Sequence, residues 1–297
     1  MPDIPVWNKC NNKCLMCANT AGFSRNASGD YGLLRQAYRL EKYLRGAGAY
    51  RKNSRTAGAW NLSGGEPTLN PDFIKAINYF RRRLEGEELT LLSNGRRFSD
   101  PVFAAAFAEA ARPPFILAIS IHGPAAAAHD RVAGVKGAFK ETLLGIKNLL
   151  ALPAAPFLEL RIILHRLNYR RLAQTLAFIK RLMKGRRYRV VVMHYEIEGS
   201  AAGNRKSLEV SLSATARQVN ACARSLAGFV EARLYHFPRC LLKPALRRLA
   251  MVSLPPEDRA YPPPCAGCRD REVCVGLMKP YLLRYGAGEL KALPKTD

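Results

Sequence analysis

Seven of the eight cysteines fall into two groups whose spacing suits metal ligation. The first, Cys10-Asn-Asn-Lys-Cys14-Leu-Met-Cys17, is a C-x3-C-x2-C run. Three thiolates on one tight loop can hold three irons of a cubane 4Fe-4S cluster, leaving the fourth iron open to an outside ligand. Zinc would ask for a fourth ligand close by, yet the first histidine, His122, stands roughly a hundred residues downstream. The second group is Cys240, Cys265, Cys268 and Cys274. Four thiolates suit an auxiliary 4Fe-4S cluster or, less favourably, a structural zinc. Cys222 stands alone in a helical-looking stretch and reads as a small core hydrophobe.

Short apolar stretches predict the strands that position these loops, over 4–7, 59–62, 89–92, 116–121, 158–164 and 189–194. Amphipathic stretches over 33–45, 71–84, 101–111, 138–150 and 168–183 predict the helices between them. Such alternation implies a parallel sheet covered by helices. Six βα units fall short of a closed eightfold barrel, so the expected fold is α/β, a partial (β/α)6 TIM-like barrel. Past about residue 203 the alternation fades into a helix over 212–227, a strand over 230–235 and a proline- and cysteine-rich tail. The expected domains are 1–206 for the barrel and 207–297 for a small cysteine-rich C-terminal extension.

Chemistry-bearing residues recur at the strand ends. The first cysteine loop follows the first strand, and the second strand runs into Gly64-Gly65-Glu66-Pro67. Glycines let backbone approach a ligand closely, and a carboxylate with exposed carbonyls can accept hydrogen bonds from an ammonium. Ser93 and Asn94 end the third strand, Ser120 the fourth, and Arg161 lies in the fifth. Tyr195 and Gly199 follow the sixth. His122, His165 and His194 also fall at strand ends, where acid–base work or substrate contact is open to them, but none is assigned a catalytic role.

The cysteine run with the Gly64–Pro67 stretch resembles the radical S-adenosylmethionine (radical SAM) superfamily over about residues 4–206. Met16 stands where that family usually has an aromatic residue. The resemblance implies that S-adenosyl-L-methionine chelates the open iron through its amino and carboxylate groups. Its reductive cleavage then yields a 5′-deoxyadenosyl radical that abstracts a substrate hydrogen. By the same resemblance Gly64, Gly65, Glu66 and Pro67 bind the methionine amino group. Ser93, Asn94, Ser120 and Arg161 contact the methionine, ribose or carboxylate parts, and the segment with Tyr195 and Gly199 contacts adenine. The C-terminal cysteines, with Val275-Gly276 and Tyr281, resemble the SPASM and twitch extensions of peptide-modifying members. Met278 stands where the full SPASM pattern has a further cysteine, so one auxiliary cluster is expected.

The leading expectation is a maturase acting on a peptide or protein side chain, fed by a reductant such as flavodoxin or ferredoxin. Alternatives are modification of RNA or a nucleotide, and a non-catalytic metal-binding scaffold. Lys and Arg outnumber Asp and Glu 47 to 23, a net +24, which favours acidic partners, RNA included. Clusters such as Arg81-Arg82-Arg83 and Arg247-Arg248 equally suit solvated helix faces, and no recognisable nucleic-acid module accompanies them. The most apolar region, residues 103–121, is interrupted by Glu109, Arg112 and two prolines, so no membrane span is expected. Eight cysteines without a signal-like apolar start fit a reducing, cytoplasmic setting.

Overall fold

The computed structural model describes residues 3–46 and 59–294. Seven strands form one sheet in sequence order: β1 (Asp3–Trp7), β2 (Ala59–Gly64), β3 (Glu88–Ser93), β4 (Phe115–Ser120), β5 (Phe157–Leu164), β6 (Tyr188–His194) and β7 (Glu231–Tyr235). β1 to β4 pair in parallel in succession, and so do β6 and β7. This is the strand order of a barrel, with β1 and β7 at the ends of the order, so the sheet is that of a partial barrel. It has one strand more than the six βα units counted from the sequence. Residues 231–235, expected in the extension, belong to the main sheet. Only Leu234 of β7 is buried, so the strand lacks the apolar run that marks β4, where Phe115 to Ile119 are all buried.

The chain forms two compact units, one of residues 1–13, 19–120 and 133–159, the other of 14–18, 121–132 and 160–297. In the first, the outer strand β1 has its carbonyls satisfied by side chains. Gln36 Nε2 donates to the Pro5 and Val6 carbonyls at 3.1 Å each, and Asn70 Nδ2 donates to Val6 O and Tyr31 O at 2.8 Å. Both side chains are buried, so these bonds answer polar groups that would otherwise lack water. Asp100 caps the helix Pro101–Ala110 through the Val102 and Phe103 amides, with Pro101 in the first turn. Phe73, Phe98, Phe103 and Phe107 stack beneath that helix, with ring centroids 4.9–5.8 Å apart.

The second unit holds all five histidines, each 3% exposed or less: His122, His129, His165, His194 and His236. Past β7 regular structure thins to the two-residue pair β8 (Arg259–Ala260) and β9 (Leu277–Met278) and the helix Lys279–Tyr285. Tyr281 anchors that helix: its hydroxyl accepts from Leu212 N at 2.8 Å and donates to Glu289. Among the described residues no helix is long and apolar enough to cross a membrane.

Burial depresses His165 to a pKa of about 4 and His194 to about 3, from the ordinary 6.5. An unfolded chain therefore takes up protons on these rings before the folded one does. Their stabilising effect is fully present above pH 6.5 and is lost as pH falls toward 4, at on the order of 1.4 kcal/mol per pH unit for each ring. Urea unfolding midpoints across that range should fall with acidification. The His194→Gln variant should show a shallower fall, and identical slopes would contradict the assignment.

Candidate functional site

In the first unit, the end of β2 presses against β1. Gly65 N–H donates to Trp7 O at 2.7 Å, and Glu66 N–H donates to Lys9 O at 2.8 Å. A Cβ on Gly64 would stand 2.1 Å from Trp7 O, and one on Gly65 2.4 Å from Lys9 O. Gly64 also has φ +138°, a backbone conformation that L side chains rarely adopt. The glycines are thus required by the neighbouring chain that leads to Cys10. Gly64 O accepts from Asn19 Nδ2 at 2.7 Å.

Glu66 is 1% exposed, and its carboxylate meets four donors within the fold. Thr68 Oγ1 and Ser93 Oγ reach Oε1 at 2.7 Å, Thr68 N at 3.2 Å, and Asn94 N reaches Oε2 at 2.7 Å. Burial pushes its pKa up and those donors pull it down. The sequence offered this carboxylate to a ligand's ammonium, whereas here it fastens the ends of β2 and β3. Pro67 opens the short turn Pro67–Leu69 that Glu66 caps. Ser93 and Asn94, named from the sequence as cofactor contacts, are partners of Glu66.

From Asn94 the network continues to the cysteine loop. Asn94 Nδ2 donates to Asn11 Oδ1 at 2.7 Å, and Arg96 Nη1 donates to Asn11 O at 2.5 Å and Asn12 Oδ1 at 2.9 Å. Arg96 Nε pairs with Glu141 at 2.7 Å, and its side chain is 11% exposed. Asn12 N–H then points to Cys10 Sγ at 3.4 Å. Sequence reasoning missed Asn11, Asn12, Arg96 and Glu141. The only hint was an arginine two residues past Asn94, in a chain full of arginines.

The second unit carries Cys14 and Cys17 in a turn closed by Cys17 N–H to Cys14 O at 3.2 Å. Leu15 N–H donates to Val132 O, Ala201 N–H to Cys17 O, and Asn204 Nδ2 to Leu15 O. Met16 enters an apolar cluster with Val132, Tyr195, Ala201, Leu208 and Val210, against which Cys14 packs. Tyr195 is wholly buried in that cluster, and Gly199, φ +52°, starts the short helix Gly199–Gly203. Ser120 ends β4 half-buried. The Arg161 guanidinium lies 6.0 Å from the Tyr235 ring, and its carbonyl accepts from Ile121 N.

Cys240, Cys265, Cys268 and Cys274 line one cavity of about 350 Å³, part of it open to solvent, together with Tyr261, Arg239 and Arg271. Backbone amides point at two of the sulfurs, Arg239 N and Gly276 N at Cys274 Sγ and Leu293 N at Cys268 Sγ, each at 3.4 Å. Burial, then the neighbouring thiols, push Cys265 up to about 11. Such a group of thiols ionises readily only around a cation. Among the described residues no three His, Cys, Asp or Glu side chains are gathered as around a single metal ion. Of the eight cysteines, Cys10 is the exposed one.

The donor chemistry fits iron–sulfur ligation: thiols, with backbone amides aimed at the sulfurs of Cys10, Cys268 and Cys274. The family model for the radical SAM superfamily matches residues 4–179. Among solved structures, Streptococcus suis SuiB bound to S-adenosylmethionine is 14% identical, with a TM-score of 0.56 over 78% of this chain and 49% of that one. Native anSMEcpe with bound AdoMet and Kp18Cys peptide is 15% identical, with a TM-score of 0.55 over 78% and 63%. A radical SAM methyltransferase from Sphaerobacter thermophilus is 13% identical, with a TM-score of 0.50 over 80% and 66%. This chain therefore matches only about half to two thirds of those proteins, and at such identity the likeness is one of fold. No curated protein matches in sequence.

Two substitutions probe the network. Gly65→Ala should cost about 1–3 kcal/mol through overpacking against Lys9 O, read as a lowered urea midpoint. Arg96→Gln should raise the rate at which a disulfide reagent modifies Cys10 in the metal-free protein several-fold, and Arg96→Lys should do the same because it loses the fork. A wild-type rate in both arginine variants would refute the clamp.

Proposed function

This chain belongs to the radical SAM superfamily, and from that premise we propose that Cys10, Cys14 and Cys17 hold its 4Fe-4S cluster while the strand ends bind S-adenosyl-L-methionine. When bound, the cluster supplies the electron that cleaves the sulfonium and generates the 5′-deoxyadenosyl radical. The chain's own residues position and shield. Glu66 and Arg96 fix the loop through Asn94, Asn11 and Asn12 on the side of Cys10. Met16 and Tyr195 build an apolar wall behind Cys14. The Gly64–Pro67 turn, Glu66 included, would meet the methionine amino group, with Ser93, Asn94, Ser120 and Arg161 for the methionine, ribose and carboxylate parts and the Tyr195–Gly199 segment for adenine.

The substrate class we favour is a peptide or protein side chain. The observation that carries it is the four-thiol cavity of the C-terminal region, which resembles the auxiliary-cluster extensions of peptide-modifying members. Solved structures with similar folds include SuiB bound to its precursor peptide SuiA and anSMEcpe with a bound peptide. We assign residues 1–206 to the radical SAM part and 207–297 to the auxiliary region, which contributes β7 before its cysteines begin. Cys240, Cys265, Cys268 and Cys274 would hold one auxiliary 4Fe-4S cluster, with zinc the lesser alternative. Electrons would come from a flavodoxin or ferredoxin. The net +24 supports RNA as a second substrate class.

The deciding measurement is 5′-deoxyadenosine formation by anaerobically reconstituted protein given S-adenosylmethionine and a reductant. Wild type should form it, Cys14→Ala should form none, and Cys268→Ala should still assemble the first cluster. Product from the Cys14 variant would refute the catalytic assignment. A steep fall in tRNA affinity with salt, from useful affinity near physiological ionic strength, would favour RNA over peptide.

A further inference from the structure

His236 follows β7 directly and is, among the described residues, the one non-glycine with positive φ, at +65°. A left-handed backbone at such a residue persists only where its surroundings fix it, often at functional sites. Its amide donates to Ser253 Oγ at 3.0 Å. Its ring is 3% exposed and held at both nitrogens. Nδ1 lies 3.0 Å from the His194 carbonyl oxygen, and Nε2 lies 3.5 Å from Glu196 Oε1.

These contacts decide where protons sit. A carbonyl oxygen only accepts, so Nδ1 must carry a hydrogen. In a neutral ring Nε2 then has a bare lone pair, and an ionised Glu196 would meet it with another. Two acceptors facing each other, one buried, repel. The contact is favourable when one proton lies between them, as a glutamic acid beside a neutral imidazole or a glutamate beside an imidazolium. Burial lowers His236 to about 4, and the Arg161 charge adds to that. Burial raises Glu196 above the usual carboxylate range, helped by Asp258 and opposed by Arg161. Glu198 is raised in turn by burial, Glu196 and Asp258. His194, the remaining titratable neighbour, is held neutral by burial. These opposite shifts favour Glu196 over His236 as the group that holds the proton. That side chain is 34% exposed and the imidazole 3%, so the pair is accessible from the Glu196 side and not from the His236 side.

We infer that Glu196 and His236 form an acid–base pair at the carboxyl ends of β6 and β7 that holds one proton for donation to a heteroatom of a molecule bound there. The step is a proton transfer alone. The Glu196 O–H breaks, a bond from hydrogen to the oxygen, nitrogen or sulfur of the bound molecule forms, and solvent refills the carboxylate. Only the identity of that molecule, a peptide side chain or other substrate of the radical chemistry, rests on the function proposed above.

The chain's five histidines make the test direct. With ring-¹⁵N-histidine in the anaerobic holoprotein, His236 is assigned by the loss of its signals in His236→Asn. Its Nε2 resonance should move as pH rises past the ordinary carboxylate range, when Glu196 ionises and its hydrogen bond is lost. In Glu196→Gln an amide N–H replaces the acid and the resonance should stay flat. A wild-type response in that variant overturns the pair. In Glu196→Ala the response should vanish and return on adding formate as the probe acid. Failure of formate to restore it would show the space sealed and overturn proton donation to a bound molecule. Formation of 5′-deoxyadenosine by wild type is read separately, so its absence counts against the radical reading and leaves the pair standing.

Discussion

A carboxylate buried to 1% exposure has to be answered by donors, and Glu66 takes its donors from two strand ends. Burying an ionised group without partners costs several kcal/mol, so the ends of β2 and β3 are not free to drift apart. Because Asn94 turns its amide N–H to Glu66 and its side chain to Asn11, the same constraint reaches the chain beside Cys10. Removing Glu66 would free the Ser93 and Asn94 donors at once. The loop that offers Cys10 would then lose its reference to the sheet.

The glycines before Glu66 are part of that constraint. At 2.1 Å and 2.4 Å from neighbouring carbonyls, a Cβ at Gly64 or Gly65 would force β1 and its continuation outward. The backbone bonds Gly65 to Trp7 and Glu66 to Lys9 would go with it. Two adjacent glycines and a glutamate thus state one geometric requirement, close approach of two chains followed by a buried carboxyl group that needs hydrogen-bond partners. The effect of the pair on any bound cofactor runs through the position of the residues before Cys10.

Much of this was legible in the sequence, and the parts that were not share a physical reason. The mostly buried strands β3 to β6 read as apolar runs and, with the shorter β1 and β2 and the helices between them, stood out. β7 has a single buried residue, so its membership of the sheet did not. The cysteine spacing and Gly64–Pro67 are local patterns and were readable as such. Arg96 and Glu141 act across 45 residues, and nothing local separates Arg96 from the other arginines of a +24 chain. The histidines were placed correctly at strand ends. His236 was not singled out, because the backbone carbonyl and the carboxylate that meet its ring depend on which strand neighbours which.

The C-terminal region inverts the usual relation between fold and site. Between β7 and the helix Lys279–Tyr285 the regular structure amounts to short turns and one pair of two-residue strands. From residue 251 to 274 only Pro262 is buried, so that stretch buries little apolar surface with which to offset the entropy of ordering it. Burial, and after it the neighbouring thiols, push Cys265 up to about 11 and so disfavour its thiolate. Without a cation, the cavity they line is a place where charge is disfavoured. With one, thiol ionisation and metal–sulfur bonding become a single favourable event, coupled to the folding of the segment that carries them. The backbone amides already aimed at Cys268 and Cys274 would then strengthen, since a hydrogen bond to a thiolate is stronger than one to a thiol. On that reasoning the metal proposed for this region holds its shape, whereas the cysteine loop at the amino end is already held by Glu66 and Arg96 before any metal arrives.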